Sequence, residues 1–363
     1  MMESFPSQFL DDLFHGASET GVRRALAMDT PDALAFATLL SPSAVDLLEE
    51  MAQAAHERTL RQFGRVIQLF APIYVANHCV NACRYCGFNR RQSIVRNTLS
   101  LDAVRKEAIA LAETGLRHIL LLTGEDPKRA GVDYIADCVR ILRAHVDSVS
   151  IEVFPMDTAD YRTLVEAGVD GLTLYQETYD PAVYDYLHPA GPKRNFGYRL
   201  DAPERACKAG MRTVGIGALL GLTDWRRDLF YAGLHAAYLQ DRYPAVEVGI
   251  SLPRMRPHTG AFQPSVIVSD RDMVQGMTAL RLFLPRAGIT ISTRESGWFR
   301  DHVIRLGVTR MSAGSRTTVG GYEAAAKDPG QFDISDERSV AEMAAAISRL
   351  GYQPVYKDWD AGC

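Results

Sequence analysis

The chain has 363 residues, 47% hydrophobic and 23% charged, with both signs spread along it and a formal net charge of -4. This make-up belongs to a globular enzyme and excludes a disordered or fibrous chain, and the length suits either two ordinary domains or one barrel. With a slightly acidic balance and no long basic run, nothing electrostatic points to a nucleic acid or an anionic membrane as partner.

The opening stretch "MMESFPSQFLDDLFHG" is acidic early and lacks an uninterrupted apolar core. It reads neither as a secretory signal nor as a membrane span, so the cytoplasm is the expected compartment. Helices follow. Thr30 and Pro31 form a cap with a first-turn proline, and Ser41 with Pro42 repeat the device. Ala44, Leu47, Leu48, Met51 and Ala55 then fall on one face at helical spacing. Residues 1–68 are expected to be a helical extension that packs on the rest.

From about residue 70 short β-rich apolar runs alternate with amphipathic helical stretches, a rhythm that implies parallel strands with helical crossovers. The candidate strands are 68–76, 118–123, 148–154, 171–176, 212–220, 245–252, 288–293 and 307–314. Between them lie stretches such as "LDAVRKEAIALAETG" and "DRDMVQGMTALRLFLPRAG", several ending at a glycine suited to a helix C-cap. Eight such units predict an α/β protein whose simplest closed form is a (β/α)8 barrel over residues 69–320, with an open doubly wound sheet as the runner-up. Residues 321–363 are expected to pack on the barrel.

The first predicted strand runs into "NHCVNACRYCGFNR", residues 77–90. In such barrels catalytic groups sit at the C-terminal ends of the strands. Cys79, Cys83 and Cys86 lie there, and the turn-prone Asn77, Asn81 and Gly87 would let the backbone wrap a metal centre. A structural zinc wants four ligands, and His78 abuts Cys79 too closely to serve the same ion. Ferredoxin-type [4Fe-4S] clusters take four cysteines, and no fourth is near. Three cysteines on a [4Fe-4S] cluster would leave one iron open. The remaining reading, three small buried hydrophobes close together by chance, suits Cys138 and Cys207 in their helical contexts better than it suits this trio.

The CxxxCxxC spacing, with Tyr85 before the last cysteine and Phe88 soon after, resembles the radical S-adenosylmethionine (SAM) superfamily. The likeness runs from about residue 30 to the end. It is closest to the 2-iminoacetate synthases, the ThiH-type tyrosine lyases of thiazole biosynthesis. The stretches that carry it are "YVANHCVNACRYCGF", "LLLTGED", "YQETYD", "GIGALLGL", "STRESGWFRD", "SAGSRTTVGGY" and "KDWD". Related aromatic amino acid lyases, the HydG-like tyrosine lyases and the tryptophan-cleaving NosL-like enzymes, are the alternative. HydG-like proteins are longer and carry a further cysteine cluster, whereas here only Cys363 follows the barrel.

The resemblance implies a [4Fe-4S] cluster on Cys79, Cys83 and Cys86 whose open iron binds SAM, and a 5'-deoxyadenosyl radical that takes hydrogen from the amino group of L-tyrosine. The Cα–Cβ bond then breaks to give 2-iminoacetate and p-cresol, with 5'-deoxyadenosine and methionine from SAM. It also implies a flavodoxin- or ferredoxin-type electron donor. Because the imine hydrolyses readily, thiazole synthase (ThiG) is the expected recipient. Glu125, at the end of the second strand, would accept from the SAM ammonium, unless it is only a solvated loop acid. Glu177 and Arg199 would be further SAM partners, with Arg199 on the SAM carboxylate or, alternatively, in a surface ion pair. Tyr85 would lie against the adenine. The glycines of "GIGALLGL" would permit close approach to the nucleoside or serve packing alone. Arg294, after the seventh strand, would clamp the substrate carboxylate with help from Ser312 or Ser315, although Arg254 and Arg300 are nearby rivals.

Overall fold

The computed structural model describes residues 5–256, 262–323 and 330–357. Cys363 and the Asp358, Trp359 and Asp360 of the terminal motif lie outside the described residues. Eight strands form a closed parallel barrel: β1 Val66–Ala76, β2 His118–Thr123, β3 Ser148–Glu152, β4 Gly171–Thr173, β5 Thr213–Gly217, β6 Glu247–Ser251, β7 Gly288–Ile291 and β8 Arg310–Ser312. They neighbour one another in chain order, and β1 closes the ring by pairing with β2 through Ala71 and Ile119 and with β8 through Gln68 and Arg310. The open sheet is therefore excluded. A ninth strand, β9 Gln353–Val355, runs parallel to the start of β1. Its three residues and central proline gave no strand signal in the sequence.

Strand alternation explains why this barrel is hollow. On β1 and β2, Ile119, Leu121, Ile73 and Val75 face the surrounding helices and join the main core, while Phe70, Tyr74, Leu120 and Leu122 form a separate inner cluster. From β3 onward many inward positions are small: Ser150, Thr173, Thr213, Gly215, Gly249 and Thr290 line an inner space that the larger Tyr175 and Arg310 also enter. Most barrels of this kind fill the same space with layers of branched side chains. Here bulk is missing on one side of the ring, and the space continues upward to the C-terminal mouth.

The N-terminal residues form helices as expected, with one change of boundary. The helix Ala33–Leu40 is capped by Asp32, whose carboxylate accepts from the amide of Ala35, so Thr30 and Pro31 precede the cap rather than making it. The Ser41–Pro42 device does start a turn, but a 3-10 one, Pro42–Leu47, before the helix Leu48–Phe63. Phe36 locks this extension to the barrel. Its ring stacks on Phe283 at 4.4 Å and on Phe230 at 5.8 Å. Gly233 makes room for it, since a Cβ there would stand 2.5 Å from the Phe36 ring.

After β8 the chain returns across the mouth. Arg300, fully buried, pairs with Asp336 and donates to the carbonyl of Ser312, which ties this returning segment to the end of β8. Removing one partner of a buried ion pair strands the other charge and typically loses about 3–5 kcal/mol. Asp336→Ala is therefore expected to lower the denaturant midpoint strongly, while the double variant Arg300→Met, Asp336→Leu recovers much of the loss. Equal destabilisation of single and double variants would contradict this role for the pair.

Candidate active site

The loop that follows β1 folds around one guanidinium. Arg96 donates to the carbonyls of Asn77 (2.6 Å), Phe88 (2.7 Å), Asn89 (2.6 Å) and Gln92 (3.3 Å). An arginine's fork of N–H donors suits this, because it can gather several carbonyls from different turns at once. Asn77 adds a second tie, donating to the carbonyl of Val95 and accepting from the amide of Asn97. Backbone bonds then dock the loop on its neighbours: Val80 to Glu125, Ala82 to Ala190 and Arg84 to Leu187. Gly124 is required by this docking, since a Cβ there would sit 2.2 Å from the carbonyl oxygen of His78.

So wrapped, the loop turns Cys79, Cys83 and Cys86 toward one cavity of about 620 Å³, which Glu125, Glu177 and Arg199 also line. None of the three is in a disulfide. Burial pushes the Cys83 thiol up to about 12 and raises Cys86 as well, with Lys193 working in the opposite direction on both. No group of three or more metal-ligating side chains among the described residues is gathered to hold a single ion. Three cysteine sulfurs lining one cavity are the kind of donor set that an iron–sulfur cluster takes. Cys138 and Cys207 sit buried in the helices Val132–Arg143 and Ala202–Ala209, where burial pushes both to about 12.

The charged groups beside the thiols form a connected set. The Glu125 carboxylate accepts from the side chain of Asn81, whose carbonyl oxygen in turn accepts from the amide of Lys193. Glu177 has φ 75°, the one positive value at a non-glycine position among the described residues. Strain of this kind persists only where the surroundings fix it. Here the Glu177 carbonyl accepts from the amide of Leu219, and its carboxylate meets Lys193 at 2.5 Å and Arg199 at 3.4 Å. Burial alone would raise the Glu177 pKa, but Lys193 and Arg199 outweigh it and hold the group below the usual carboxylate range. Arg199 is buried and commits its Nε to the carbonyl of Tyr175 at 2.7 Å, which leaves the far edge of its fork for any ligand. The Tyr85 hydroxyl donates to Nε2 of His188 at 2.7 Å, and Nδ1 of His188 donates to the carbonyl of Tyr184. That ring has its hydroxyl engaged and lines a neighbouring space that shares Cys86, Glu177 and Lys193 with the thiol cavity, which it does not itself line. In "GIGALLGL", Gly217 abuts the carbonyl of Ser251, where a Cβ would stand 2.4 Å away, so close packing between strands accounts for it.

A second chamber of about 590 Å³ opens beside the thiols, sharing Glu152, Tyr175 and Gln331 with their cavity. Its apolar wall is the inner cluster of Phe70, Tyr74, Leu120 and Leu122. Arg294 stands at its rim with its guanidinium 3.4 Å from the centre of the Phe332 ring, and no carboxylate among the described residues pairs with it. The rival arginines are committed elsewhere. Arg254 is bound to Glu295 and Asp270, and Arg300 to Asp336. Ser312 and Ser315 both line the chamber; the Ser312 hydroxyl accepts from the amide of Thr293 at 3.0 Å, whereas Ser315 Oγ is buried with no partner.

Sequence reasoning overlooked Lys193, Gln331 and Glu152. Lys193 lies in "PAGPKRNF" beside a second cation and carries no local signal. Gln331 arrives from the returning segment, where its carbonyl oxygen accepts from the Tyr74 hydroxyl at 2.8 Å. Glu152 did have a signal: an acid at the third of the alternate positions Ser148, Ser150 and Glu152, at the C-terminal end of a strand.

A loop of three thiols, with a charged cleft beside it, at the C-terminal mouth of a (β/α)8 barrel defines a radical SAM enzyme. The model of the Radical SAM superfamily matches residues 73–231, and that of the Biotin and Thiamin Synthesis associated domain matches residues 251–353. The 2-iminoacetate synthase of Escherichia coli (strain K12) is 39% identical over 348 residues, covering 96% of this chain and 92% of that one. The 3-methylornithine synthase of Methanosarcina barkeri is 30% identical over 338 residues, covering 90% and 92%. Among solved structures, HydG, a maturase of the [FeFe]-hydrogenase, superposes with a TM-score of 0.91 at 32% identity over 97% of this chain and 80% of that one. The chain belongs to the radical SAM superfamily and, within it, to the 2-iminoacetate synthase family. Its cofactors are a [4Fe-4S] cluster and SAM.

Burial and the nearby Lys193 push His188 down to about 3, so it is neutral when folded. A histidine whose folded pKa lies below its unfolded value of about 6.5 stabilises fully above that value, and the stability falls by about 1.4 kcal/mol per pH unit as pH drops further. Urea unfolding of the apoprotein is therefore expected to show a shallower loss between pH 7 and pH 5 in His188→Gln than in the parent. Buried His235, pushed down to about 4, leaves a residual slope in both. Identical slopes would contradict a neutral, buried His188.

Proposed function

We propose that this chain cleaves the Cα–Cβ bond of L-tyrosine to 2-iminoacetate and p-cresol, with SAM converted to 5'-deoxyadenosine and methionine, in thiamine thiazole biosynthesis. The observation that carries the reading is an aromatic-walled chamber, with an unpaired guanidinium at its rim, that opens directly onto the three-thiol cavity. The similarity to 2-iminoacetate synthase over 96% of the chain supports it. Cys79, Cys83 and Cys86 would hold the cluster, which, once reduced by a flavodoxin- or ferredoxin-type donor, would supply the electron that splits SAM.

The chain's own residues bind, orient and exclude water. Glu125, fixed by Asn81, receives the SAM ammonium; Arg199, fixed by Glu177 and Tyr175, offers its remaining edge to the SAM carboxylate. Tyr85 flanks the nucleoside. Arg294 grips the tyrosine carboxylate, and the otherwise unpartnered Ser315, with Ser312 beneath it, completes that end. The aromatic ring lies against Phe70, Leu120 and Leu122. Positioning within contact distance is what keeps a reactive radical on its intended target.

We take residues 1–68 as a helical extension, 69–320 as the catalytic barrel and 321–363 as a segment that packs on the barrel, a reading supported by Gln331 and Phe332 at the chamber and by β9 beside the start of β1. No helix among the described residues is long and apolar enough to cross a membrane, and we place the enzyme in the cytoplasm. The fragile imine makes thiazole synthase (ThiG) its natural recipient. If handover is direct, adding thiazole synthase lowers the glyoxylate released by imine hydrolysis; unchanged release argues for free diffusion.

Reconstituted, reduced protein is expected to release p-cresol from tyrosine in step with 5'-deoxyadenosine, and nothing comparable from tryptophan or lysine. Cleavage of tryptophan or lysine in preference to tyrosine would overturn the reading. Arg294→Lys keeps the charge but loses the planar fork, so a rise in KM of roughly tenfold or more is expected, as measured by initial rates.

A further inference from the structure

We infer that Glu152 holds the α-amino group of the amino acid substrate and takes up its ammonium proton, so that the chamber grips the zwitterion from both ends. The inference rests on the lyase reading above and adds a residue that the sequence analysis did not single out.

Geometry leads to it. β3 alternates Ser150 and Glu152 into the barrel while Val149 and Ile151 face the helices. Glu152 is thus the rim residue of that strand. The thiol cavity, the substrate chamber and a third space of about 550 Å³ that Tyr85 lines all have Glu152 in their walls. Its carboxylate makes no hydrogen bond or ion pair among the described residues. Other acids at this mouth are committed: Glu177 to Lys193 and Arg199, Glu295 to Arg254 and Arg256, Asp336 to Arg300 and Arg338. Glu152 is half-buried, and a carboxylate in a cavity wall with no partner from its own chain stands apart from these committed neighbours.

Arg294 is the matching case of opposite sign. It shares the substrate chamber and the third space with Glu152, yet the two make no ion pair within 4 Å. A cation and an anion held apart across one cavity complement a molecule that carries a carboxylate and an ammonium on the same carbon. With Arg294 on the carboxylate, Glu152 is left for the ammonium, on the side that faces the thiol cavity. That is where the amino group must be for a radical generated there to reach it.

The proton matters as well as the grip. Loss of a hydrogen atom from an ammonium leaves a radical cation, whereas loss from a free amine leaves a neutral aminyl radical. The step is a simple transfer: the ammonium N–H bond breaks heterolytically, its proton binds a Glu152 oxygen, and the electron pair stays on nitrogen. The groups facing Glu152 are Arg294 from beyond β7, Glu177, Lys193 and Arg199 from the segment after β4, and the phenols of Tyr74 on β1 and Tyr175 after β4. Burial raises its pKa to about 7, with Arg294 opposing and Glu177 adding to the rise. Near neutral pH it is therefore poised to accept a proton.

The test compares holoenzyme with Glu152→Gln and Glu152→Asp, each checked for full iron content, using L-tyrosine and 3-(4-hydroxyphenyl)propionate, which lacks the amino group. Wild type is expected to bind tyrosine at least tenfold more tightly than this analogue, and Glu152→Gln to lose that preference while Glu152→Asp keeps part of it. In Glu152→Gln, kcat/KM for tyrosine is expected to fall by roughly 10²- to 10³-fold, and the acid limb of the wild-type profile near pH 7 to disappear. A Gln variant that keeps either the preference for tyrosine or the acid limb would overturn the inference. Should wild type itself leave tyrosine intact, the lyase reading fails; should wild type cleave it and Glu152→Gln match it, this inference alone fails.

Discussion

From β4 to β7 most side chains that line the barrel's inner space are small, glycine, threonine and serine, with Tyr175 just after β4 as the large exception. The opposite wall, Phe70, Tyr74, Leu120 and Leu122, is apolar and full-sized. This imbalance is the constraint on which the rest depends. It turns a core that would ordinarily be filled into connected spaces that reach the C-terminal mouth. Whatever is bound there is enclosed by strands rather than by loops alone, which favours the exact placement that radical chemistry demands.

At the mouth the chain assembles two kinds of chemistry side by side. The loop around Arg96 brings three thiols to one cavity, and the ion set of Glu177, Lys193 and Arg199 stands next to them. Low dielectric strengthens such pairs and makes an unpaired charge expensive. The contrast between committed and uncommitted charges is therefore informative. Arg254 and Arg300 are bound up in the scaffold, whereas Arg294 and Glu152 face open space, which marks them as groups whose partners come from outside the chain.

The barrel was legible because hydrophobic runs and helical stretches alternate with a regular period, and β2 was placed at its observed limits. β4 and β8 are shorter than their apolar runs suggested: past β4, Leu174 and Gln176 still donate to the carbonyls of Gly215 and Gly217, though the regular ladder has ended, and β8 starts only after a 3-10 turn that closes at Gly307. The cysteine loop was legible through spacing alone. Choosing among the arginines was not, because Arg254, Arg294 and Arg300 all follow strands, and only packing shows which ones already have carboxylates. Lys193 and Gln331 were invisible for the same reason: one enters from a turn after β4 and the other from the returning segment, and no local pattern reports a contact across more than 100 residues. Glu152 was readable in principle from strand alternation.

The account as a whole stands on Cys79, Cys83 and Cys86 holding the [4Fe-4S] cluster by three sulfurs only, which would leave SAM a place on it, with Glu125, Glu177 and Arg199 as its proposed partners. Its most direct test is electron–nuclear double resonance on the reduced, reconstituted protein, with SAM carrying nitrogen-15 in its amino group. The account predicts a nitrogen hyperfine coupling to the cluster that appears only when SAM is present. A four-iron signal that is the same with and without SAM would contradict it.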